Sequence, residues 1–118
     1  MATIKVEDKG AEVPDGKRLV LAIEEDLGVD ILHKGGGNAM CTTCRVEFAA
    51  GEPSRMTEAE RERLVDRGLL GQARLSCQIP CAGEMTVKPL MTVSSSGSND
   101  PGPRPAEEIT PAPVWTEA

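Results

Sequence analysis

Tyrosine is absent from the 118 residues, Phe48 is the single phenylalanine and Trp115 the single tryptophan. A core this poor in rings has to be built from aliphatic side chains, and a domain this small gains from a bound metal centre that ties it together. Positive charge is also short. Thirteen Lys and Arg against 19 Asp and Glu leave a net charge of −6, which argues against nucleic acid and anionic membrane surfaces as partners. No long apolar run occurs. The longest aliphatic stretch, residues 19–23, is far too short to span a bilayer. The amino terminus, Met1-Ala2-Thr3-Ile4-Lys5-Val6-Glu7, lacks the basic flank and apolar stretch of a secretory signal. Together these absences predict a cytoplasmic protein, where four cysteines favour metal ligation over disulfides.

What is present reads as a small α+β domain over residues 1–93. Residues 2–7 alternate apolar and polar and predict a strand, with a shorter strand at 11–13. Asp15 is placed to cap a helix over residues 17–27, in which Leu19, Ile23 and Leu27 share a face and Glu24, Glu25 and Asp26 face water. Gly28 ends that helix. A strand is predicted at 45–48. The Thr57-x-x-Glu60 capping box opens a second helix to about Arg67, stopped by Gly68. A last strand follows at 84–88. Residues 94–118 change character: a serine run leads into five prolines between Pro101 and Pro113, a composition that predicts disorder. Trp115 there is either incidental or an anchor for a partner.

The chemistry concentrates at Gly35-Gly36-Gly37-Asn38-Ala39-Met40-Cys41-Thr42-Thr43-Cys44-Arg45-Val46, followed much later by Leu75-Ser76-Cys77-Gln78. A glycine-rich loop with a Cys-x-x-Cys pair and a remote third cysteine suits a [2Fe–2S] cluster. Thiolates are the soft anionic ligands iron needs, and glycines let backbone N–H groups approach the sulfur charge.

This text resembles the cluster loop of [2Fe–2S] ferredoxins of the plant-type and adrenodoxin-like kind. Their signature is Cys, four or five residues, Cys, two residues, Cys, then a distant Cys. The resemblance covers about residues 2–93. It implies a β-grasp fold, a [2Fe–2S] cofactor held by Cys41, Cys44 and Cys77, and amide donors from Gly36, Gly37 and Asn38. It also implies a monomeric one-electron carrier rather than an enzyme, receiving electrons from a flavin-dependent ferredoxin reductase and passing them to an acceptor such as an oxygenase. The first cysteine of the signature is missing: Gly35 stands in its place. A natural absence and a single exchange would give the same text. With one thiolate fewer, the potential is expected above the roughly −400 mV of plant-type clusters.

Several residues could complete the ligand set. Cys81 could serve as fourth ligand or be a small buried hydrophobe. His33 stands just before Gly35, and imidazole ligates iron in Rieske centres, although a histidine in such a place more often only hydrogen-bonds. A water or hydroxide at the open iron position is a further alternative. Glu58, Glu60, Glu62 and Asp66 form either a solvated face or a docking patch for a reductase. Two other readings stay open from the residues alone. Cys41, Cys44, Cys77 and Cys81 make two cysteine pairs of a kind used for structural zinc, and a cluster-free domain of the same fold would carry the same strands and helices.

Overall fold

The alternation at the amino terminus sets the first strand. In the computed structural model, which describes residues 1–33, 43–93, 102, 105–109 and 112–117, β1 (Ala2–Val6) buries Ala2, Ile4 and Val6 and turns its other side chains outward. Glu7, with φ 55°, makes the tight reversal into β2 (Lys9–Val13), which pairs antiparallel with β1. This second strand is two residues longer than the expected 11–13, because the hairpin ladder runs on to Val6–Lys9. Beside β1 lies β6 (Glu84–Pro89), in parallel register with Ile4 opposite Met85. β3 (Arg45–Ala50) pairs antiparallel with β6, and β5 (Arg74–Leu75) closes the sheet on the far side of β3. The strand order is therefore β2-β1-β6-β3-β5.

One face of this sheet is covered by the helical segment α1 (Leu19–Leu21) and its continuation Ala22–Asp26. Leu19, Val20, Leu21, Ala22 and Ile23 are all buried, and they join Ile4, Val46, Leu75 and Val87 in one aliphatic core. Each large aliphatic group removed from water in this way contributes about 1.5–3 kcal/mol. The continuation is wider than an α-helix: the Leu27 amide donates to the Ala22 carbonyl five residues back. Gly28, at φ 68°, ends it as expected.

Asp15 does not cap this helix. Arg18 occupies the N-cap position, in extended backbone and with no capping side chain. The reason lies in a neighbouring segment. Gly16 donates to the Cys81 carbonyl at 2.9 Å, Cys81 donates to Lys17 at 2.8 Å and Leu19 donates to Ile79 at 2.8 Å. A short ladder between residues 16–19 and 79–81 delays the helix until Leu19.

The second helix, α2 (Glu58–Asp66), follows the short strand β4 (Arg55–Thr57). Thr57 caps it, its hydroxyl accepting from the Glu60 amide at 3.0 Å. The carboxylate of Glu60 does not complete the expected capping box; it turns into the core towards Arg74. β4 in turn pairs with a strand the composition does not announce, β7 (Trp115–Glu117). Trp115 lies opposite Thr57, and the Arg55 guanidinium sits 5.2 Å from its ring centroid. The ring therefore packs within its own chain. The rest of the segment expected to be disordered, residues 94–101, 103, 104, 110, 111 and 118, lies outside the described residues. Among the described residues no helix is long and apolar enough to cross a membrane.

Candidate metal centre

Cys44 lies just before β3, and Cys77 sits in a single 3₁₀ turn, Ser76–Gln78, that leaves β5. Because β3 and β5 are paired, with Arg45 opposite Leu75, the two cysteines arrive at the same end of the sheet. Ser76 fastens them. Its amide donates to the Cys44 carbonyl at 3.2 Å and its hydroxyl to the same oxygen at 2.7 Å. Both cysteines are buried.

Beneath them lies Arg18, which is wholly buried. Its Nε and one terminal nitrogen donate to the Cys77 carbonyl at 2.9 and 2.6 Å. The other terminal nitrogen donates to the carbonyls of Ala106 and Glu108. Burial pushes the guanidinium pKa down, while the nearby Cys77 and Cys44 sulfurs act in the opposite direction. Guanidinium keeps its proton at any ordinary pH, so this side chain is a fixed positive charge below a pair of candidate thiolates.

A third connection comes from α2. The Thr57 hydroxyl donates to Gln78 Oε1 at 2.7 Å, and Gln78 Nε2 donates to the Cys77 sulfur at 3.7 Å. The helix cap is thereby linked through one amide side chain to the sulfur. Glu60 and Arg74 form the floor below. Arg74 Nε lies 2.8 Å from Glu60 Oε2, the same oxygen accepts from the Leu75 amide at 2.8 Å, and Arg74 also donates to the carbonyls of Pro53 and Arg55. Glu60 is fully buried, so it belongs neither to a solvated face nor to a docking patch; Glu58, Glu62 and Asp66 remain exposed.

Cys81 is buried too, with its backbone paired to Gly16 and Lys17. The charged groups that act on its thiol are Lys17, Asp26 and Asp15, and burial pushes its pKa up to about 12. That is the environment of an inert thiol. A zinc ion held by both cysteine pairs would bring Cys44, Cys77 and Cys81 around one point; among the described residues no three His, Cys, Asp or Glu side chains come together in that way.

His33 is 2% exposed, with Nε2 2.5 Å from Glu24 Oε2. Gly35, Gly36, Gly37, Asn38 and Cys41 lie outside the described residues. Arg18, Ser76, Gln78 and Thr57 were not singled out from the sequence as parts of the site. Only the position of Ser76 and Gln78 on either side of Cys77 could have marked them.

Residues 3–82 match the family described as the 2Fe-2S iron-sulfur cluster binding domain. Among solved structures, the chain is similar to the ISC-like [2Fe-2S] ferredoxin of Pseudomonas putida JCM 20004, at 26% identity and a TM-score of 0.59, over 75% of this chain and 91% of that one. It shares its fold with a ferredoxin of Rhodopseudomonas palustris HaA2, at 23% identity and a TM-score of 0.55, over 76% of this chain and 96% of that one. Among curated proteins, none matches this chain.

Proposed function

Because this chain belongs to the family of 2Fe-2S iron-sulfur cluster binding domains, electron carriers rather than enzymes, we propose that it carries single electrons on a [2Fe–2S] cluster held by Cys41, Cys44 and Cys77. Gly36, Gly37 and Asn38 supply backbone donors to the cluster sulfurs. Residues 1–93 make up the cluster domain. The observation that carries this reading is the clamp at the end of the sheet: Ser76 binds the Cys44 carbonyl twice while Gln78 donates an N–H to the Cys77 sulfur. The donor set suits the group. Soft sulfur ligands suit iron, while an N–H directed at sulfur and a buried guanidinium offset the negative charge that thiolate and sulfide bring.

The cluster, when bound, supplies a one-electron couple. The residues around it do the rest. Gln78 and the loop amides stabilise charge on sulfur, Arg18 fixes the Cys77 backbone, and the aliphatic core keeps water from the buried side. Cys81 remains a structural thiol. The acidic surface suits a flavin-dependent reductase with a basic docking face and an acceptor such as an oxygenase, met by a monomer in the cytoplasm.

The test is a spectrum with two analyses. Purified full-length chain, assembled with iron and sulfide, is expected to be brown, to bleach on reduction and to contain iron and acid-labile sulfide in equal amounts. Full metal loading without labile sulfide would refute the assignment.

A further inference from the structure

We infer that His33, through Nδ1, takes the place of the missing first cysteine as a ligand to the diiron centre. The inference rests on the cluster reading above. Nε2 of His33 lies 2.5 Å from the Glu24 carboxylate. An ionised carboxylate only accepts, so Nε2 carries a proton; in the neutral imidazole that binds a metal, Nδ1 is then the nitrogen that offers its lone pair. Among the described residues, Nδ1 is the buried side-chain nitrogen or oxygen that meets no hydrogen-bond partner.

A buried ring nitrogen without a partner is an arrangement folded proteins avoid unless something binds there. Histidines that hold metals show this pattern: one ring nitrogen on the metal, the other donating to a carboxylate that fixes the tautomer and raises the basicity of the free nitrogen. Glu24 reaches His33 from the wide helical turn Ala22–Asp26.

The chain also brings His33 to the side of the molecule that holds Cys44. Leu90 donates to the Arg45 carbonyl at 3.1 Å, and Leu32 donates to the Met91 carbonyl at 3.0 Å. Consecutive residues 90 and 91 thus bind the chain neighbours of Cys44 and His33. In sequence, His33 stands two positions before Gly35. The competing thiol, Cys81, has its amide tied to the Lys17 carbonyl, and the charged groups that act on its sulfur are Lys17, Asp26 and Asp15.

The bond to iron uses the Nδ1 lone pair, the Nε2 proton stays in the hydrogen bond to Glu24, and no electron is gained or lost. A neutral imidazole in place of a thiolate leaves the centre with one negative charge fewer than four cysteines would.

His33 is the only histidine in the chain, so isotopic labelling of histidine reports on it alone. The full-length protein, carrying no histidine tag, is assembled with iron and sulfide, reduced chemically and studied by pulsed electron paramagnetic resonance. A strongly coupled nitrogen is expected. It should change from the 14N to the 15N pattern when histidine alone is labelled and be absent in His33→Ala. If that variant does not fold, the labelled native chain decides by itself. Full iron and labile sulfide with only weak nitrogen couplings, or with couplings indifferent to the histidine label, overturns His33 ligation and leaves the cluster reading standing. Absence of labile sulfide overturns both.

Discussion

Gly51 shows how tightly single positions are specified around this sheet. It has φ 79°, and a Cβ built there would lie 2.0 Å from the Glu84 carbonyl oxygen. Neither the left-handed backbone nor the contact admits a side chain without movement of β6. Gly51→Ala is expected to cost about 2–4 kcal/mol, measured as the change in unfolding free energy by denaturant titration; a loss near zero would mean that the turn is not held against β6. Cys81 gives a different kind of prediction. Its ordinary pKa of 9.0 is raised to about 12 in the fold. Across that window the folded chain keeps a proton that the unfolded chain releases, so its contribution to stability is full below pH 9 and is lost as pH rises towards 12. Cys81→Ala should flatten this alkaline decline in melting curves recorded from pH 8 to 11. It should also leave iron and sulfide content unchanged, whereas a loss of both would make Cys81 a ligand.

Among the elements, α2 depends on a buried charge pair more than on its own sequence. Its apolar face is thin: Leu64 is buried while Val65 is 56% exposed. Glu60 and Arg74 compensate, since one guanidinium ties α2, the Pro53 and Arg55 carbonyls and β5 together. Replacing only Arg74 by Met leaves the Glu60 carboxylate buried without its cation. The expected destabilisation is about 3–5 kcal/mol. Adding Glu60→Leu should recover part of it. The measurement is a double-mutant cycle by denaturant unfolding, and additive losses would exclude coupling. The capping text at Thr57 foretold where this helix begins, because a cap is a contact between residues three apart. The inward turn of Glu60 was not legible, because its partner lies fourteen positions away.

At the scale of the molecule, the described parts of the carboxyl-terminal segment join what the Cys44 and Cys77 end of the sheet and α2 would otherwise leave open. Ala106 and Glu108 accept from Arg18, Val114 accepts from the Glu58 amide at 2.7 Å, and β7 pairs with β4. Truncation after Val93 removes all of these acceptors. Unpaired donors at Arg18 and Glu58 should cost about 1–3 kcal/mol each where water does not replace the lost carbonyls. Hydrogen exchange at the Glu58 amide reads the effect directly: protection should fall in the truncated chain, and unchanged protection would show that the tail does not dock. The composition of that segment hid this. Its prolines and serines forbid a core of their own, yet three residues at the end need only an exposed strand edge and one aromatic ring to pair.

The sequence by itself pointed to the family and held the cysteine spacing and the order of β1, β2, the first helix, β3, α2 and β6, because these depend on periodicity and on residues near one another in the chain; β4, β5 and β7 were not legible there. The absence of a cysteine at position 35 was equally plain there. Only the folded chain decided what surrounds the sulfurs. Arg18 meets the Cys77 carbonyl across 59 positions, Ser76 meets Cys44 across 32, and Glu24 turns His33 so that one ring nitrogen is satisfied and the other is not. Contacts of that range follow from strand register and helix placement, to which no local pattern of residues gives access.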